Sequence, residues 1–87
     1  MATYYARSVY VVGYRNGSRH EMVFCGLALV THDASDPLVS VFDATTGTKH
    51  VLNIAVLCGL EIATAPSERA AIVDALERAE KAAKVTP

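Results

Sequence analysis

Tryptophan is absent from this 87-residue chain, and cysteine, proline and glycine are scarce at two, three and five residues. The cysteines, Cys25 and Cys58, lie far apart without Cys-x-x-Cys spacing, so they make neither a zinc ligand set nor a thioredoxin-like pair. The three histidines, His20, His32 and His50, are equally scattered. His20 and Glu21 are adjacent in an extended segment and point to opposite faces. His32-Asp33 falls in a stretch of turn composition, where solvation is the ordinary role. No metal and no cofactor are therefore expected. Phosphate loops, the dinucleotide fingerprint and the Gly-x-Ser-x-Gly elbow are all missing. Both thiols sit in apolar strand context, where burial raises a thiol's pKa and makes it inert. No nucleophile, base and orienting acid come together in the pattern, so the chain reads as a non-enzyme with no catalytic residues.

Charge of one sign is missing too. Eight Lys+Arg against nine Asp+Glu leave a formal net charge of −1. That balance gives no general attraction to phosphate and no acidic mimicry of it. No apolar run approaches the ~18 residues of a membrane-spanning helix. The first apolar run, Val9–Val12, is also too short for a secretory core. The expectation is a cytoplasmic protein, with no membrane partner and with reduced, buried thiols.

What is present is apolar. Hydrophobic residues make up 52% and charged residues 20%, which is the balance of a folded domain. The length predicts one domain over residues 1–87. A domain this small buries about 60% of its unfolded surface. A mean hydropathy of +0.26 is more than such a core readily hides, so part of the apolar surplus is expected to face a partner.

Residues 1–64 read as β structure and 66–84 as one helix. Tyr4–Tyr14 is rich in aromatic and β-branched residues and ends at Asn16-Gly17, the strongest short hairpin signal. A second, long strand is expected over Arg19–Thr31. Its faces would be Met22, Phe24, Ala28 and Val30 on one side and Val23, Cys25, Leu27 and Leu29 on the other, with Gly26 offering a bend. Turns at 32–37 and 43–47 bracket a short strand at Leu38–Phe42. A fourth strand begins at Lys49–Leu52, and a fifth covers Leu57–Ala63 after a break near Asn53–Val56. The helix would carry Pro66 in its first turn and Ser67 as cap. Its apolar stripe is Ile72, Leu76, Ala79 and Ala83, with Asp74–Arg78, Glu77–Lys81 and Glu80–Lys84 as exposed i,i+4 pairs. The fold class is α+β: a small, strongly bent antiparallel sheet or partial barrel of four to five strands with one C-terminal helix.

Val9-x-Val11, then Asn16-Gly17, a long bent strand and finally Lys49-His50-Val51-Leu52-Asn53 resemble the two Sm motifs of small Sm-like barrels, closest to the Hfq branch. The resemblance covers about residues 9–62, and the wider SH3-like class shares the strand pattern. It implies a five-stranded barrel assembled in a ring, with single-stranded RNA near a central pore lined by Lys49 and His50. That family places a helix before its first strand, whereas here the helix comes last.

Two main functional expectations follow. The first is a non-enzymatic binding module of adaptor or inhibitor type. It would bind a protein partner, itself included, through an interface drawn from Tyr10, Tyr14, Met22, Phe24, Ile72 and Leu76. The alternative is single-strand binding through Arg7, Arg15, Arg19, Lys49 and His50 with aromatic stacking. A third reading is a small-ligand binder in the barrel mouth.

Overall fold

The computed structural model describes residues 1–85. Strand β1 spans Ala2–Arg15, β2 Ser18–Cys25, β3 Ala28–His32, β4 Leu38–Asp43 and β5 Thr48–Asn53. A single 3₁₀ turn at Ile54–Val56 leads into β6, Leu57–Ile62, and helix α1 covers Pro66–Val85. All pairings are antiparallel. β2 and β3 are successive parts of one path running back along the same side of β1, from Arg15↔Ser18 to Ala2↔His32. β6 pairs the other side of β1, and β4 and β5 extend the sheet beyond β3. The result is a curled sheet five strands wide, an α+β fold with its helix at the C-terminus.

The turn between β1 and β2 is closed by Asn16 at φ 53° and Gly17 at φ 80°. Two positive φ values match the right-handed twist of a two-residue hairpin, and only residues such as Asn and Gly take them cheaply. The long second strand expected over Arg19–Thr31 is interrupted. The register slips between Val9↔Cys25 and Tyr10↔Val23, leaving Phe24 as an extra residue. This bulge, not Gly26 alone, sets the first bend, and the ladder breaks again at Gly26–Leu27. The faces therefore differ from the simple alternation. Cys25 joins Ala28 and Val30 in the core, with Phe24 packed against it, while Met22 is exposed.

The concave face of the sheet holds the core: Ala6, Val9, Cys25, Ala28, Val30, Val39 and Val41, flanked by Phe24, Leu52, Leu57 and Leu60. Small and β-branched residues predominate, which suits a tightly curled sheet. On the opposite face the register aligns Tyr5, Leu29, Phe42 and Lys49 in one row. Helix α1 covers this side. Ile72 is fully buried, Ala75 and Phe42 nearly so, and the Arg69 guanidinium lies 4.5 Å above the Tyr5 ring. The buried helical stripe is Ile72 and Ala75 with Leu76 and Ala79 half-buried; Ala83 is exposed. Of the expected surface pairs, Asp74–Arg78 closes at 3.3 Å. Glu80–Lys84 lies outside the side chains described.

The helix start corrects the expected cap. Ala65, not Ser67, precedes the first helical residue, and its backbone N–H donates to Glu68 Oε1 at 3.2 Å. This is the returning half of a capping box, with no hydroxyl contributing the other half. Glu68 also accepts both arms of a fork from Arg7 on β1, at 2.8 Å and 3.0 Å, and Arg7 reaches Thr64 Oγ1 at 3.0 Å. One carboxylate thus caps the helix and bolts it to the sheet.

Two outcomes are expected. Ile72→Ala removes a fully buried side chain at the helix–sheet contact, and should cost about 2–5 kcal/mol in a urea titration; Ala83→Ser should leave the midpoint unchanged. The second concerns acid. Arg7's hydrogen bond, chiefly, holds the Glu68 carboxyl below its ordinary 4.5. A depressed carboxyl contributes stability above its unfolded pKa and loses it as pH falls through the folded value. Between about pH 6 and pH 3, melting of the native chain should therefore fall more steeply than that of Glu68→Gln.

Candidate interaction surface

Among the described residues the far sides of β5, β6 and β2 meet no other strand, and both ends of β1 are open on the side that β6 takes in the middle. Open strand edges present rows of backbone donors and acceptors and are templates for another chain. Exposed apolar side chains accompany them: Val51 on β5, Ile62 on β6, Val23 and Met22 on β2, and Leu38, Ile54 and Val56 where β4 meets the 3₁₀ turn. The Ile54 N–H donates to the Pro37 carbonyl at 2.8 Å, which sets Leu38 and Ile54 side by side. The unalternating run from Val51 to Leu57 was the sequence signal for this patch, which the expected interface set did not include.

β1 and β2 continue past their support. β6 meets β1 only from Ala6 to Val11, so Val12–Arg15 pair with β2 alone. The molecule measures 44 × 32 × 27 Å, with a radius of gyration of 13.8 Å where a compact chain of this length has about 12 Å. Along one face of the arm run Tyr10, Val12 and Tyr14, opposite Val23, Glu21 and Arg19. The other face carries Val11 and Gly13, opposite Met22 and His20. The Met22 methyl lies against Gly13, where a β-carbon would collide with it.

The expected protein-interface residues divide accordingly. Tyr14 is 74% exposed and Met22 46%. Tyr10 is half-buried, and its hydroxyl donates to Glu61 Oε1 at 2.5 Å. That bond, more than burial, raises the Tyr10 pKa above its ordinary 10.0. Phe24 turns inward and meets His50 edge-on, ring centres 5.1 Å apart. Ile72 and Leu76 are committed to the chain's own sheet, Ile72 completely. The residues of the nucleic-acid alternative do not converge. Arg7 is held by Glu68, Arg15 and Arg19 stand at the arm's end, Lys49 is on β5, and His50 is tucked against Phe24. Glu21 and Glu61 stand on the face that Tyr10 and Tyr14 share.

No group of three or more His, Cys, Asp or Glu placed to hold a metal occurs among the described residues. The best-formed cleft, about 280 Å³, lies between the β4–β5 turn and α1, and a second of about 240 Å³ lies beside Tyr4, Tyr5 and Arg69. Both are open to solvent and lie outside the filled concave core. Among the described residues no helix is long and apolar enough to cross a membrane. Cys25 is free and buried, and burial, aided by the charge of Asp43, pushes its thiol up to about 11. At pH ~8 only about one thiol in a thousand is then ionised. A thiol-reactive probe should modify Cys25 at the rate of unfolding, and promptly once denaturant is added. No protein-family model, curated protein or solved structure matches the chain.

Proposed function

We propose that the chain is a non-enzymatic, self-associating interaction module that acts through protein–protein contacts. The observation that carries this reading is exposed apolar side chains on strands with an open edge: Val51 on β5, Ile62 on β6, and Met22 and Val23 on β2.

The β5 and β6 edges are complementary to one another. Lys49 and Val51 lie on the helix-bearing face of β5, and His50 and Leu52 on the concave face. On β6, Glu61 and Gly59 share the face of Ser8 and Tyr10, and Leu60 faces inward beside Val9. The Ile54 N–H donates to Pro37, so the free backbone groups of β5 belong to Lys49 and Val51, and the Ala63 N–H donates to Tyr5, so those of β6 belong to Leu60 and Ile62. These groups let β5 of one copy meet β6 of the next, with the exposed Val51 and Ile62 at the seam. Such a contact joins unlike surfaces and generates a ring when the rotation closes.

Light scattering behind size exclusion, at low and high salt, tests this. A mass that is a multiple of 9.3 kDa at both salts is expected, because paired edges and apolar contacts do not depend on counterion release. Val51→Lys should lower the mass. Ile62→Lys should lower it likewise. A 9.3 kDa species at both salts overturns the reading.

A further inference from the structure

The third open edge points to a different contact. We propose that the β1–β2 arm pairs with the same arm of a second copy, β2 against β2, about a two-fold axis at His20.

Backbone alternation narrows the choices first. In a hairpin closed by a two-residue turn, the flanking pair Arg15↔Ser18 is hydrogen-bonded, and so are alternate pairs beyond it, Gly13↔His20 and Val11↔Met22. Arg19, Glu21 and Val23 consequently direct their N–H and C=O groups away from β1, toward the open edge. A second β2 strand must meet these groups with its own Arg19, Glu21 and Val23. It must also keep side chains on matching faces, because a slip of one residue turns every side chain over.

Charge then selects among the remaining registers. With His20 opposite the second copy's His20, each Arg19 stands opposite the other copy's Glu21, so two ion pairs form symmetrically. A slip of two residues in one direction places Glu21 against Glu21. A slip of two in the other places Arg19 against Arg19. Like charges directly opposite are destabilising, so the neighbouring face-matched registers are both penalised and the central one is favoured. The chosen register also extends a row across four strands: Tyr14, Arg19, then the second copy's Glu21 and Val12, with the symmetric row beside it. Tyr14, 74% exposed in one copy, gains a neighbour for its ring through Arg19 and the facing Glu21.

The arm's own architecture supports a partner there. A two-stranded ribbon is marginal by itself in water, and beyond Val11 no third strand joins the arm among the described residues. Antiparallel overlap centred on His20, close to the turn at Asn16-Gly17, places the two bodies at opposite ends of the shared ladder. The contact is isologous, so it doubles whatever the β5–β6 contact assembles, giving an even number of copies.

Charge reversal tests the pairing on two exposed residues away from the core. Glu21→Arg and Arg19→Glu should each halve the mass seen by light scattering while leaving the far-ultraviolet spectrum intact. The double variant carrying both changes should recover the full mass. So should an equimolar mixture of the two single variants, whose arms are complementary only to each other. Val51→Lys, which disrupts the β5–β6 contact alone, should leave a dimer that Glu21→Arg converts to monomer. Single reversals that keep the wild-type mass overturn the arm contact and leave the edge contact standing. A double variant or mixture that stays at the half mass overturns the register.

Discussion

Fourteen residues of one strand, Ala2–Arg15, carry nearly everything else. β1 hydrogen-bonds to β2 and β3 along one side and to β6 along the other, and through Arg7 it holds the start of the helix. Its irregularities are what make the sheet curl. The bulge opposite Val9/Tyr10 and the shifts in the β6 register at Ala6/Ser8 and Tyr10/Val11 cluster around one short stretch. There the chain turns Arg7 outward to the helix while Ala6 and Val9 stay in the core. A straight strand of the same composition would bury one face and leave the other without its clamp.

The same strand explains why so much of the surface is open. A sheet organised around one central strand ends in edges, and here neither edge is covered by the single helix, which lies over the row of Tyr5, Leu29 and Phe42. Small domains usually blunt edges with charge or cover them. Here the edge strands carry charge, Lys49 on β5, Glu61 on β6 and Arg19 with Glu21 on β2. Such charges discourage arbitrary strand addition.

Local signals were legible where local chemistry decides. Asn16-Gly17 fixed the hairpin because positive φ is a property of those two residues. The Ile72–Leu76 spacing located the helix, and the apolar strands with their turns located the sheet. The bulge at Phe24 was not legible, because it arises from how β1 must meet both β2 and β6, residues far apart in sequence. The cap was missed for a similar reason. Ser67 looked suitable by type, but the groups that close the helix are the Ala65 N–H and Glu68, anchored by Arg7 sixty-one positions away. Of the residues expected at an interface, Tyr14 stays exposed, whereas Ile72 and Phe24 were drawn inward by contacts that no single strand reveals.

The late position of β6 has a consequence for synthesis. β1 leaves the ribosome ahead of its partners and finds β2 and β3 within a few tens of residues, but its other side stays bare until Leu57–Ile62 has emerged. The helix cannot lock either, because Glu68 follows later still. The nascent chain therefore passes through a stage in which β1 itself is an open edge, with Val9 and Val11 not yet covered by Leu60 and Leu57. Final closure is a long-range event, and such closures are slow relative to hairpin formation. The order of elements thus gives the growing chain a window in which chaperone binding or pairing between neighbouring nascent chains competes with its own last strand.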